Sequence, residues 1–212
     1  MEDDTAIPAR VRNRRGQGAR LREEIVAAAV DLLDETGAAN AVTLRSVARR
    51  VGIAAPSIYR HFPDQPAIML AVVREAFAEL DRELRGAVDT AGGSPRQRLT
   101  ALCDGYLDFA RTRPGRYRAM FGGLWRPDLE GSSVREEDMA ALGRPSVELL
   151  TDTLAACVAA GSATSTDVPA DAVALWLGLH GLAHQRSASP SFPWPPDIAE
   201  RVVTALAHFT DA

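Results

Sequence analysis

From residue 19 onward, apolar side chains recur at intervals of three and four, the spacing that lines them along one face of a helix. In "ARLREEIVAAAVDLLDETG", Leu21, Ile25, Ala28 or Ala29, Leu32 and Leu33 share such a face, and Gly37 offers a C-terminal stop. "AVTLRSVARRVG" opens with Thr43, a natural N-cap. Leu44, Val47, Ala48 and Val51 then follow the i, i+3, i+4, i+7 pattern, and Gly52 ends the helix. A third, short helix starts near Ala55. Its Pro56 falls in the first turn, where a missing N–H costs nothing. A long fourth helix begins around Asp64, runs to about Val88 and fades in "DTAGGSP".

Helical patterns continue through "PRQRLTALCDGYLDFARTRP", a short "RPGRYRAMFGGLW", "RPSVELLTDTLAACVAAG", "PADAVALWLGLHGLAHQR" and "PPDIAERVVTALAHFTDA". The stretch "RPDLEGSSVREED" is polar, and "SASPSFPWPP" is rich in Pro and Ser and reads as loop. The pattern predicts an all-α chain of about nine helices, with no strand run, internal repeat or low-complexity tract. The break between domains falls inside the fourth helix instead of in a flexible linker.

Composition narrows the class. Hydrophobic residues make up 46% of the 212 positions and charged ones 25%, enough to bury a core. No apolar run approaches the roughly 20 residues that a membrane helix needs. The N-terminal "MEDDTAIPARVRNRRGQG" has no apolar stretch after its charges, unlike a secretory signal. Cys103 and Cys157 lie far apart within apolar helical patterns, as small core residues of a reducing compartment do. The expectation is a soluble, cytoplasmic protein.

Charge changes the picture more. The net charge is −4, but residues 10–60 carry ten arginines against five acids, a balance of +5. Residues 1–9 contribute −3 and residues 61–212 contribute −6. A basic first quarter joined to an acidic remainder suits a chain of which one end meets a polyanion.

The second and third helices, separated by a few residues around Gly52, form a helix-turn-helix pattern. Leu44, Val47, Ala48, Val51, Ile53, Ile58 and Phe62 can face inward against the first helix. Ala55, Pro56, Ser57, Tyr59, Arg60 and His61 are then left outward. In this arrangement the later helix enters the major groove and the earlier one crosses the backbone. Tyr59 can bond a phosphate or stack on sugar. Arg60 can reach a phosphate or a guanine edge, and the Thr43 cap can share a phosphate.

The run "TLRSVARRVGIAAPSIYRHFPDQPAIM" resembles the DNA-binding domain of the TetR family of transcriptional regulators. The resemblance implies backbone contacts at Thr43 and Tyr59 and a base contact at Arg45. It puts the recognition-helix contacts at Ala55, Pro56, Ser57, Arg60 and His61. "YLDFARTRPGRYRAMFG" followed by "ALWLGLHGLA" is similar to the family's C-terminal domain type named for a Trp, His, Gly signature, here Trp176, His180 and Gly181. That implies a helical, dimeric regulatory domain with a small-molecule cavity.

The expected organisation is a flexible basic arm over 1–19, a helix-turn-helix domain over 20–66 and a ligand-binding and dimerisation domain over 67–212. The expected partners are a double-stranded DNA operator, a second copy of the chain and a small-molecule effector, with no membrane. The function so implied is a ligand-responsive repressor on a near-palindromic operator. The alternative is a DNA-binding protein whose C-terminal half only dimerises and senses no ligand.

Tyr106, Phe109, Met120, Phe121, Trp125, Trp176 and His180 are pocket candidates, although aromatics at helical spacing also build plain cores. His180 and His184 have the i, i+4 spacing of metal ligands, but no Cys, Asp or Glu at adjoining helical positions completes a site, so no metal or cofactor is expected. The arginines of 10–20 are either auxiliary DNA contacts or a solvated tail. No nucleophile elbow, phosphate-cradling Gly loop, HExxH or Cys-x-x-Cys is present, and an enzyme is not expected.

Overall fold

The computed structural model describes residues 18–123, 125 and 127–210. Most of the basic arm, residues 1–17, therefore lies outside the described residues. Among the described residues ten α-helices follow one another: α1 (Gly18–Thr36), α2 (Leu44–Val51), α3 (Ala55–Ile58), α4 (Gln65–Ala91), α5 (Pro95–Thr112), α6 (Pro114–Phe121), α7 (Glu136–Ala140), α8 (Arg144–Ala159), α9 (Val168–Ala188) and α10 (Ile198–Leu206). A 3-10 turn at Ala39–Ala41 joins α1 to α2. The described residues contain no strand, only an isolated bridge between Ala163 and Phe209. The fold is all-α, as the periodicity predicts. No helix among the described residues is long and apolar enough to cross a membrane.

The structure adds to the sequence pattern at three points. The polar stretch 126–138, which carries no helical period of its own, ends in α7, whose acidic first turn complements the partial positive charge of a helix N-terminus. Helix α6 stops at Phe121, so Trp125 lies beyond it in irregular chain. Helix α4 passes through Gly86 without a break and extends to Ala91.

The chain divides into two compact units. Among the described residues, the first comprises 18–76 and 115–140, the second 77–114 and 141–210. Residues 115–140, which the sequence reading groups with everything after 66, thus pack with the helix-turn-helix. Helix α4 gives its first twelve residues to the first unit and the rest to the second.

In the first unit, α1 packs against α2 and α2 against α3, and Ile25, Ala29, Leu33, Val47, Ala48, Ile58 and Phe62 are all buried. The returning segment is fastened by polar contacts. Arg116 donates to the Asp34 carboxylate at 2.7 and 3.1 Å. Asp64 caps α4 by accepting from the Ala67 N–H at 2.8 Å, and its other oxygen accepts from the Ser133 N–H at 2.8 Å. Arg74 donates to Asp138 at 2.6 Å.

In the second unit, α5 packs against both α8 and α9, and α10 closes over α9 and α5. Leu99, Leu102, Cys103, Phe109, Leu154, Cys157, Leu175 and Leu179 are buried there, and both thiols are free. The last described residues are tied in. Arg96 stacks over the Phe209 ring at 4.5 Å and donates to the Thr210 carbonyl at 2.8 Å.

Candidate functional site

The helix-turn-helix is set by its caps. Thr43 Oγ1 accepts from the Ser46 N–H at 3.0 Å, and Ser46 Oγ accepts from the Thr43 N–H at 2.9 Å. Each side chain so satisfies one of the N–H groups that a helix start leaves orphaned. Ser46 Oγ also donates to the Ala41 carbonyl at 2.7 Å, fixing α2 to the turn before it. At the other end Gly52 takes φ +73°, a left-handed conformation that costs a glycine nothing. Its N–H closes α2 on Ala48 and Arg49, and the chain turns into α3.

Helix α3 is a single turn, Ala55–Ile58, with Pro56 at its start. Helical bonding persists beyond it, because the Phe62 N–H donates to the Ile58 carbonyl at 2.9 Å. Ile58 and Phe62 are thereby both turned into the core, and Arg22 of α1 lies 4.8 Å over the Phe62 ring. The residues between them are forced outward. Tyr59 is 54% exposed, Arg60 is exposed and His61 half-buried. Ala55 and Pro56 are exposed, and Ser57 is half-buried. On α2, Arg45 is exposed beside the half-buried Thr43. Of the eight residues of the sequence-read DNA face, Thr43 caps α2, Arg45 lies on α2, Ala55, Pro56 and Ser57 lie on α3, and Tyr59, Arg60 and His61 follow it directly. Val51 and Ile53, read as inward, are only half-buried.

The charges on this unit are sorted. Arg50 donates to the Glu35 carboxylate, once at 2.7 Å, and that partner holds the Glu35 carboxyl below its ordinary range. Arg20 bonds Glu24 at 3.2 Å. Arg45, Arg49 and Arg60 make no ion pair with any described residue. Sequence reasoning passed over Ser46, Arg22 and Gln65. Gln65 Nε2 reaches the Val42 carbonyl at 3.0 Å and links α4 to the start of α2. The Thr-x-x-Ser spacing was the signal for Ser46. The other two are long-range contacts without a local mark.

The pocket candidates fall in both compact units. Tyr106, Phe109, Trp176 and His180 belong to the second, and Met120, Phe121 and Trp125 to the first. Tyr106 and Phe109 are buried on α5, and the Tyr106 hydroxyl lies 3.4 Å from Nδ1 of His180 on α9. The rings of Trp176 and His180 are 5.7 Å apart. Burial, then the proximity of His184, lowers the pKa of His180 and favours the neutral imidazole. In the first unit, Phe121 packs against Tyr117 with ring centres 5.1 Å apart, and Met120 and Trp125 are half-buried.

Known proteins share both halves of this arrangement. The chain is 34% identical over 99 residues to the class A tetracycline repressor protein of Escherichia coli, covering 43% of this chain and 45% of that one. It is 30% identical over 87 residues to the HTH-type transcriptional regulator BetI of Stenotrophomonas maltophilia, covering 41% and 44%. In both cases the match spans a little under half of the relative's length. A solved structure of a protein of unknown function from Rhodococcus sp. RHA1 superposes with a TM-score of 0.72 at 25% identity, over 92% of this chain and 95% of that one. A model described as "Bacterial regulatory proteins, tetR family" matches residues 25–72, and one described as "Tetracyclin repressor-like, C-terminal domain" matches 99–209. With its helix-turn-helix inside the first match and more than half its length inside the second, the chain belongs to the tetR family of bacterial regulatory proteins.

Proposed function

We propose that this family member is a ligand-responsive repressor that works in the cytoplasm and binds a near-palindromic operator as a homodimer. One observation carries the DNA-binding part. A capped α2–Gly52–α3 unit turns Ile58 and Phe62 inward and leaves Arg45, Tyr59 and Arg60 on its surface, none of the three in an ion pair with a described residue. Thr43, Ala55, Pro56, Ser57 and His61 complete the face. A single helix-turn-helix is a small contact, and two copies reading half-sites about one helical turn apart supply the rest. Helices α8 and α9 suit the pairing, since Val173 and Leu177 of α9 are 43% and 55% exposed at i, i+4 spacing.

The effector site in this reading is built on Tyr106, Phe109, Trp176 and His180, all in the second unit. Trp176, His180 and Gly181 support a domain of the Trp-His-Gly type. A matched relative is named a tetracycline repressor, which is the pattern of control proposed here. Its test has two arms. Duplexes recovered from a random pool should carry an inverted repeat, and light scattering at micromolar concentration should give a dimer without DNA. A thermal-shift screen of metabolites and drugs should return a compound that raises the melting temperature and releases the recovered duplex. A monomer, or a recovered sequence without symmetry, would defeat the dimeric operator. A stabilising compound that leaves DNA affinity unchanged would defeat the repressor's response.

A further inference from the structure

We infer that Arg49 is a ligand of the DNA backbone and that Arg50, its neighbour in sequence, is not. This rests on the DNA-binding reading above and extends it to a residue outside the face read from the motif.

The geometry of α2 separates the two side chains. Successive helical residues are about 100° apart around the axis. Leu44, Val47 and Ala48 are buried and define the core side. Arg45 and Arg49, four positions apart, then lie on one flank, and Arg50 lies on the other. On its flank Arg50 meets α1, where it donates to Glu35 and feels the further charge of Asp31. Its guanidinium has its carboxylate.

Arg49 is exposed and makes no ion pair with a described residue. The contrast holds across residues 18–76. Arg20 has Glu24, Arg50 has Glu35, Arg74 has Asp138 and Arg22 lies over Phe62. The arginines without such a partner are Arg45, Arg49 and Arg60, on α2 and just past α3. Among the described residues of 18–76, these are the arginines left for a polyanion.

One helical turn separates Arg49 from Arg45, a rise of about 6 Å along α2. The first helix of such a motif crosses the DNA backbone, and a duplex presents a charge about every 1.7 Å of axis. With Arg45 at the groove, Arg49 falls alongside a further phosphate. Phosphate contacts fix position and carry no sequence information, so Arg49 contributes affinity without specificity.

Full-length wild type, R49Q, R49K and R50Q should be titrated by fluorescence anisotropy across a salt series. The probes are a duplex selected from a random pool and an unselected mixed-sequence duplex. For R49Q the slope of log affinity against log salt should shrink by about 0.9 per lost phosphate contact, so by about two in a dimeric complex. Both duplexes should weaken by the same factor, with the melting temperature unchanged. R49K should keep the slope because a point charge suffices for a phosphate. R50Q should keep it too. A wild-type slope in R49Q would overturn the inference. So would an equal loss in R50Q, or a loss confined to the selected duplex, which would mark a base contact. Failure of wild type to bind either duplex in a salt-dependent way would instead remove the DNA-binding reading itself.

Discussion

The Tyr106 hydroxyl on α5 and Nδ1 of His180 on α9 meet at 3.4 Å, joining two helices that share the core of the second unit. A neutral imidazole can accept from the phenol there, whereas a protonated ring, with no acceptor left, can only donate to the phenol oxygen. Burial, then the proximity of His184, lowers the His180 pKa in the folded chain. The unfolded chain, with an ordinary value of about 6.5, therefore binds more protons just below that pH. The melting temperature should be flat above that point and fall as pH drops from about 6.5 toward 5, before most carboxylates titrate. His180→Gln should flatten this window. An equal fall in the variant would place the acid sensitivity elsewhere.

The Thr43–Ser46 cap is local and should yield a local energy. Thr43→Ala should lower stability by about 1 kcal/mol, and Thr43→Ser should restore most of it. Urea midpoints measure both. No change in Thr43→Ala would mean that the capping box adds nothing to α2. Because the same hydroxyl is proposed to face a phosphate, the Ala variant should also lose DNA affinity.

Two glycines in left-handed backbone separate conformational cost from steric cost. Gly52 at φ +73° has open space where a Cβ would stand. Gly143 at φ +72° would place its Cβ 2.7 Å from Cε1 of the Phe77 ring. Gly52→Ala should cost ~1–2 kcal/mol from the backbone alone. Gly143→Ala should cost clearly more, since a ring packed in the second unit must shift. Equal denaturation midpoints for the two variants would contradict the contact at Phe77.

How far these features were legible follows from their range in sequence. Thr43, Gly52 and Pro56 mark α2 and α3 because caps and first-turn prolines act within a few residues. Ile58 and Phe62 betray the outward face between them by spacing alone. The return of 115–140 to the first unit has no such mark. It depends on Arg116 with Asp34, Asp64 with Ser133 and Arg74 with Asp138, pairs 82, 69 and 64 positions apart. Helix α7 is held by the last of these and is too short to show a period. Aromatic spacing along helices marks the pocket candidates but carries no sign of the unit each one joins.

The outward residues should separate DNA affinity from stability. Tyr59→Phe and Arg60→Ala should weaken DNA binding with melting temperature and dimer intact, because neither side chain enters the core. Arg45→Ala should lose on the order of 1–3 kcal/mol and relax preference at one position of each half-site. Anisotropy titrations on single-base variants of the selected duplex measure both effects. Wild-type affinity in all three variants would count against this face.

The last prediction concerns transmission between the units. Helix α4 passes from one to the other at Ala76–Phe77 as continuous helix, and a stiff helix transmits a tilt that a loop would absorb. The chain crosses the same boundary twice more, at Pro114–Gly115 and Ala140–Ala141. We therefore expect α4 to carry most, but not all, of any coupling between effector and DNA. Inserting two glycines between Ala76 and Phe77 should leave both ligands able to bind. The factor by which a compound from the thermal-shift screen weakens DNA should move toward one. By linkage, DNA must weaken that compound by the same reduced factor, so the measurement can be made from either side. Undiminished coupling in the insertion variant would take the lever away from α4. The fastened segment 115–140 would then be the route, and Arg116→Ala, which frees it from Asp34, the variant to lose the response.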